Sequence, residues 1–260
     1  MNAVRNKAII FDIDGTVVDS PDQKLPTANL TRAFKNISQA YYCCAATGRP
    51  WSFAKDIITH LEAGNPSIVA GGTQIRDSNG DVLWQCDIPS SSLIEVLNTF
   101  SEYDNHSLLV NDYEESAYLD DKGLRVEDID PESKAYFLEA IFVPEKEAYK
   151  LKEKLDKIDG IVCTMVVAQR EGMKDLHVTN EFATKEHAIT ELLKLIQVDV
   201  DQTIGVGDGH NDLHLFASVK TKVAMGNAVP ELKAAADIVI GDVKNDGLAE
   251  YLESLVTVKD

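Results

Sequence analysis

The sequence predicts an α/β protein: a Rossmann-like parallel sheet interrupted by an inserted α+β domain. Three observations carry this. Short apolar strands alternate with helical stretches at both ends of the 260-residue chain, several of these strands run out into glycines and acids, and the alternation breaks in the middle. A βαβα rhythm implies parallel strands joined by right-handed crossovers.

In chain order, Ala8 to Ile13 reads as a buried strand, followed by a helix around Leu30 to Asn36, a strand from Ala40 to Ala46 and a helix from about Ser52 to Leu61. Gly71, Gly72 and the turn Ser78-Asn79-Gly80, set between Thr73-Gln74-Ile75 and Val82-Leu83-Trp84, mark a β-hairpin. The rhythm then changes. Helical runs at Ser91 to Tyr103 and Glu145 to Ile158, with β-rich pieces at Ser107 to Val110, Ala140 to Val143 and Ile161 to Ala168, describe an α+β insert. After Leu176-His177-Val178 the βα alternation resumes. It gives a helix at Lys185 to Leu195, a strand at Thr203 to Val206, a helix after Gly209 and a strand at Lys222 to Met225. A helix from Pro230, a strand at Asp237 to Ile240 and a closing helix near Asp246 to Leu255 complete it. The expected division is a sheet domain over 1–85 and 175–260 and an insert over 86–174.

A hydrophobic content of 44% with 26% charged residues fits a packed soluble core. The net charge of −18 opposes nucleic acid and anionic membranes as partners, since both recruit clustered Lys and Arg. No apolar span is long enough to cross a bilayer, and the apolar run before Asp12 is too short for a secretory signal. Cys43, Cys44, Cys86 and Cys163 form no CxxC pair, and Cys43 and Cys44 read as small buried hydrophobes on opposite faces of a strand. A cytoplasmic location is the simplest expectation.

The chemistry concentrates at strand ends. Asp12 and Asp14 stand one residue apart where the first strand runs out, the place where open α/β sheets bind ligands. Two such carboxylates repel unless a divalent cation or cationic groups offset them, so the spacing itself predicts a metal. A second strand ends in Gly207-Asp208-Gly209-His210-Asn211-Asp212, which supplies either further oxygen ligands suited to Mg²⁺ or a plain cap for the following helix. Neither a dinucleotide fingerprint nor a calcium loop fits these glycine spacings. A third strand end, Thr47-Gly48-Arg49-Pro50, presents a hydroxyl near a helix start and reads as a phosphate contact or as a helix cap. Lys185 falls in a first helical turn, slightly against the helix dipole, which favours a function over a surface role only weakly.

Asp12-Ile13-Asp14-Gly15-Thr16, then Thr47-Gly48-Arg49, then Lys185 after an insert, then Gly207-Asp208 with Asn211-Asp212, taken in this order, resemble the haloacid dehalogenase superfamily of phosphatases. Val223 to Ala228 with Ala236-Asp237 and Asp246-Gly247 resembles its Cof-type, sucrose-phosphatase-like subgroup (subclass IIB). The resemblance implies a C2-type α+β cap and an aspartyl-phosphate mechanism. By it, Asp12 is the nucleophile and Asp14 the general acid and base. Mg²⁺ is held by Asp12, Asp208 and the Asp14 backbone carbonyl. Thr47, Lys185 and Asn211 contact the transferring phosphoryl group, and Asp212 orients Lys185. The substrate it implies is a small phosphorylated metabolite, with a sugar phosphate the leading choice. Gly48 and Arg49 are placed in substrate binding, and Arg170, Glu171 and Asp175 of a cap that closes over the crevice would read the organic part with Arg49. A phosphomutase on the same scaffold and a non-catalytic sugar-phosphate sensor are the alternatives; the oligomeric state is open.

Two positions depart from the subgroup pattern: Gly71-Gly72-Thr73 stands where Asn-Gly-Ala is usual, and Glu186 follows Lys185 where glycine is common. His177 and His214 read as structural, and His210 as a variable position in the metal loop. Tyr41, Tyr42 and Trp84 read as packing residues, Trp51 as a hydrophobe that could reach the crevice, and Met225-Gly226-Asn227 as a turn beside the site. Glu114, Glu115, Asp120 and Asp121 read as solvated loop.

Overall fold

A computed structural model describes residues 5–19, 25–62, 65–102, 107–111, 129–130, 134–168 and 170–257. Glu114, Glu115, Asp120 and Asp121 lie outside the described residues. The chain divides into two compact units, one of Met1–Trp84 with Thr184–Asp260 and one of Gln85–Ala183.

The first unit is built on five parallel strands: β1 (Lys7–Phe11), β2 (Tyr41–Ala45), β10 (Thr203–Gly207), β11 (Thr221–Ala224) and β12 (Ile238–Val239), in the order β12-β11-β10-β1-β2. Ala8, Ile9, Ile10 and Phe11 of β1 are buried on both faces, which is why this strand reads as a continuous apolar run rather than an alternating one. Helix α1 (Ala28–Ile37) starts where Thr27 Oγ1 accepts the Leu30 amide, and packs Leu30, Ala33, Phe34 and Ile37 inward, with Phe34 4.7 Å from the Phe11 ring. Asp246, at φ +56, pins that helix start by accepting from Thr27 Oγ1 and Asn29 Nδ2 just ahead of α8 (Gly247–Thr257). Helices α2 (Trp51–His60), α5 (Lys185–Ile196), α6 (Asp212–Ala217) and α7 (Pro230–Ala235) complete the unit.

The hairpin is present as β4 (Gln74–Arg76) and β5 (Val82–Gln85), extended by β3 (Ser67–Val69) to three strands. Asp77 Oδ1 accepts the Asn79 and Asp81 amides and so closes the turn. Trp51 is buried with its indole against Gly80 of that turn, which makes it a packing residue of the hairpin.

The second unit is an antiparallel sheet of β6 (Ser107–Val110), β7 (Phe137–Pro144), β8 (Ile161–Val167) and β9 (Met173–Asn180), in the order β6-β7-β9-β8, together with α3 (Ser90–Ser101) and α4 (Glu145–Leu155). Leu138, Ala140, Leu176 and Val178 pack with Leu93, Val96, Leu151 and Leu155 in a core separate from that of the first unit. The expected return to the sheet domain at residue 175 is corrected here. Residues 175–180 pair with β7 and β8, and the first unit resumes only at Thr184. Asp175, Leu176, His177 and Val178 alternate polar and buried as a strand of a one-sided sheet does, a pattern too short in sequence to assign to either domain. No helix among the described residues is long and apolar enough to cross a membrane.

Candidate active site

Strand register brings the three sequence motifs together. Phe11 of β1 pairs with Val206 on one side and Ala45 on the other, so Asp12, Gly207-Asp208 and Ala46-Thr47 leave the sheet at the same level. The ladder continues one step further, with the Asp12 amide donating to Val206 O at 3.0 Å and the Ala46 amide to Phe11 O at 2.8 Å. Asp12 is therefore held by backbone as well as side-chain contacts and is only 5% exposed.

Lys185, at the start of α5, reaches across 173 positions of sequence to Asp12 Oδ1 at 2.7 Å, and its ammonium also donates to Asp212 Oδ1 at 2.8 Å. All three side chains are buried. Asp212 Oδ2 accepts the Asp208 and Gly209 amides, each at 3.0 Å, which ties the loop ahead of α6 to the first residue of that helix; the N-cap position itself is Asn211, with no side-chain cap bond, and the Asp208 side chain turns to other partners. Thr16 Oγ1 lies 3.5 Å from Asp208 Oδ1 and Asn227 Nδ2 3.4 Å from Oδ2, both long contacts. Gly15, at φ +75, makes this approach possible: a Cβ there would lie 2.1 Å from Asp208 Oδ2. Gly72, at φ +110, does the same for α5, since its Cβ would fall 2.5 Å from the Thr184 carbonyl carbon. The Gly-Gly-Thr departure from the subgroup pattern thus retains the glycine that seats Lys185.

Asp14 is bound by Arg49, Nε at 3.0 Å to Oδ2 and Nη2 at 2.5 Å to Oδ1, a fork that covers both carboxylate oxygens. Arg49 Nη1 also donates to Phe53 O at 3.3 Å. The sequence places Arg49 in substrate binding; in the structure its partner is Asp14. Thr47 is fully buried with its hydroxyl accepting the Arg49 amide at 3.1 Å, and it does not cap α2, whose N-cap is Pro50. Gly48 is exposed with open space beside it, and Asn211 is exposed, folded back over Gly209. His210 and His214 are exposed as well, while Trp84 stacks on His187. In the second unit, His177 Nε2 sits 2.8 Å from Glu139 Oε1, Arg170 stacks 3.9 Å over Phe142, and Asp175 Oδ1 accepts the Phe142 amide at a β-bulge. Of the three residues of the second unit expected to read the substrate, Arg170 and Asp175 are thus engaged within that unit.

Asp12, Asp208 and Asp212 each offer an oxygen within 4.8 Å of the others. Burial pushes the Asp12 carboxyl up to about 7, against the pull of Lys185 and with the help of Asp212 and Asp208. Burial, with Asp212 next, pushes Asp208 up to about 6. Burial works against the Lys185 ammonium, but Asp12 and Asp212 outweigh it and hold it above the usual lysine range. Carboxylates so reluctant to ionise, with their oxygens clustered within 4.8 Å, fit a hard divalent cation. Since Asp212 is spent on Lys185 and two amides, Asp12 and Asp208 are the side chains suited to hold it.

Both carboxyls titrate higher in the folded chain than in the unfolded one, so their contribution to stability is complete below the ordinary carboxylate range. It is lost as pH rises through about 6 to 7. Without divalent cations the Tm should fall across this window. Millimolar Mg²⁺ should raise it more at about pH 8 than at about pH 5. Thermal denaturation against pH, with Mg²⁺ and with chelator, checks this; an equal Mg²⁺ effect at both ends would contradict it.

The parallel sheet thus gathers a buried aspartate, a lysine and further acids at its carboxyl edge. Residues 9–252 match the family model of haloacid dehalogenase-like hydrolases, and the chain belongs to that family. Phosphatases stand among its curated relatives. Among curated proteins it is 27% identical to the putative phosphatase YkrA of Bacillus subtilis (strain 168), over 98% of this chain and 99% of that one. It is 24% identical to the HMP-PP phosphatase of Serratia proteamaculans (strain 568), over 94% and 93%. Among solved structures, the subclass IIB sugar phosphatase BT4131 superposes with a TM-score of 0.71 at 20% identity, over 96% of this chain and 98% of that one.

Proposed function

We propose that the protein is a Mg²⁺-dependent phosphomonoesterase that works through an aspartyl-phosphate on Asp12, with a small phosphorylated metabolite of the sugar-phosphate class as substrate. The observation that carries this reading is the buried Lys185 bridging Asp12 and Asp212, with Asp208 alongside. An ammonium fixed against a carboxylate at a sheet edge serves phosphoryl transfer, where positioning and charge neutralisation matter most. BT4131 is a sugar phosphatase, and the S. proteamaculans relative is an HMP-PP phosphatase; both support a small phosphorylated substrate.

In this mechanism an Asp12 oxygen attacks phosphorus, the ester bond to the leaving oxygen breaks, and Asp14 donates the proton which that oxygen takes up. Water then attacks the phosphorus of the acyl phosphate. Asp14 accepts its proton, the P–O bond to Asp12 breaks, and inorganic phosphate leaves. Arg49 must release at least one Asp14 oxygen for this exchange, which gives it a part in admitting substrate. Lys185 offsets charge on the phosphoryl oxygens, Thr47 and Asn211 contact them, and Asp212 keeps Lys185 in place. Asp12, Asp208 and the Asp14 carbonyl would hold Mg²⁺, which supplies positive charge to a phosphoryl group entering a chain of net charge −18.

Phosphate release across a panel of phosphorylated metabolites tests the proposal. Turnover should require Mg²⁺ and vanish with chelator, and a hexose 1-phosphate should yield free phosphate. Conversion of that sugar to its 6-phosphate isomer would indicate the mutase instead. Silence across the whole panel with Mg²⁺ present would reject the proposal.

A further inference from the structure

Asn227 sits in the turn between β11 and α7, and its amide faces three loops at once. Nδ2 donates to the Gly15 carbonyl at 2.7 Å and lies 3.4 Å from Asp208 Oδ2, while Oδ1 accepts the Val243 amide at 3.0 Å. The loops it joins are the one that follows Asp14, the one that carries Asp208, and the turn ahead of α8. There is no slack in this arrangement. A Cβ on Gly15 would lie 2.1 Å from Asp208 Oδ2, and one on Gly226, beside Asn227, would fall 2.7 Å from the Asp242 nitrogen. The Gly226 amide donates to Gly241 O at 3.0 Å, and Lys233 Nζ holds the Gly226 carbonyl at 2.5 Å.

We propose that Asn227 is a positioning residue for the cation site: it fixes the loop after Asp14 through the Gly15 carbonyl and turns the Asp208 carboxylate to meet a divalent ion. This rests on the Mg²⁺ reading above. The residue type suits the task. One end must donate to a carbonyl and a carboxylate and the other must accept an amide, and a primary amide does both without charge. Aspartate would place another negative charge beside Asp208. A lysine donor would compete with the cation. Groups that orient metal ligands in this way tune affinity although they never touch the ion.

The test uses the full chain and Mg²⁺ alone as probe, reading apparent Kd from the rise of Tm with Mg²⁺ concentration, beside steady-state kinetics. Asn227→Ala should weaken Mg²⁺ binding by about 10-fold or more. At saturating Mg²⁺ its kcat should recover to within about threefold of wild type, since no group touching the substrate has changed. Lys233→Met removes a hydrogen bond from the same turn without touching Gly15 or Asp208, so it should lower Tm and leave the Mg²⁺ Kd unchanged. If Asn227→Ala does not fold, Asn227→Ser carries the same comparison. An unchanged Kd in the Asn227 variant, or equal weakening in Lys233→Met, would overturn the positioning role while the phosphatase reading stands. A wild-type protein that neither responds to Mg²⁺ nor releases phosphate would remove both.

Discussion

Asp12→Asn should abolish phosphate release, with kcat lower by at least about 10⁴-fold, while the protein stays folded. Asparagine keeps the shape of the side chain and can still accept from Lys185, but a neutral amide oxygen does not form an acyl phosphate. Folding should survive because the strand end is held by main-chain bonds, the Asp12 amide to Val206 O and the Ala46 amide to Phe11 O. The electrostatics point the same way. Burial raises the Asp12 carboxyl to about 7, so removing this charge relieves desolvation and repulsion from Asp212 and Asp208. In chelator near neutral pH the variant should therefore melt no lower than wild type, and Mg²⁺ should stabilise it less. Acid-quenched wild type incubated with substrate should carry a phosphoryl group on the peptide containing Asp12, and the variant none. Turnover of Asp12→Asn at a rate near wild type would exclude Asp12 as nucleophile.

Much of this site was legible in the sequence because its acids sit where strands end. Asp12, Asp14 and Asp208 are each announced by an apolar run that stops at a glycine-rich turn, and parallel pairing then aligns the ends of β1, β10 and β2. What could not be read depends on partners far apart in the chain. The Arg49 fork on Asp14, the seating of Lys185 by Gly72 and the three-loop contact of Asn227 are set by tertiary approach, with no local periodicity to reveal them. Asp208 and Asp212 illustrate the limit: either reads as a helix cap, and only the geometry shows that Asp212 instead joins Lys185 to the Asp208 and Gly209 amides while Asn211 holds the cap position. The boundary at β9 is hidden from the sequence for a related reason. A short strand carries the same alternation whichever sheet it joins, and only the cross-strand partners of Leu176 and Val178 decide between them.

Lys185→Met should cost both activity and stability, and the two losses should separate with pH and with metal. Methionine fills a similar volume but leaves Asp12 and Asp212 without their shared cation in a buried setting. Removing one partner from a buried charge cluster typically costs roughly 3–5 kcal/mol. Here the cost should shrink as pH falls below about 7, because Asp12 then takes up a proton, and it should shrink again when Mg²⁺ supplies positive charge. The kinetic loss should not be recovered in this way. A fixed donor aimed at developing negative charge contributes about 10² to 10³ in kcat. Mg²⁺ restores net charge but does not place a hydrogen-bond donor where the Lys185 ammonium stood. Melting curves over the same pH range, with Mg²⁺ and with chelator, beside kcat at saturating substrate, would show stability returning while turnover stays low. If kcat instead recovers together with Tm, Lys185 is a structural counterion, and the charge balance of the acid cluster, rather than a directed contact to phosphate, explains its burial.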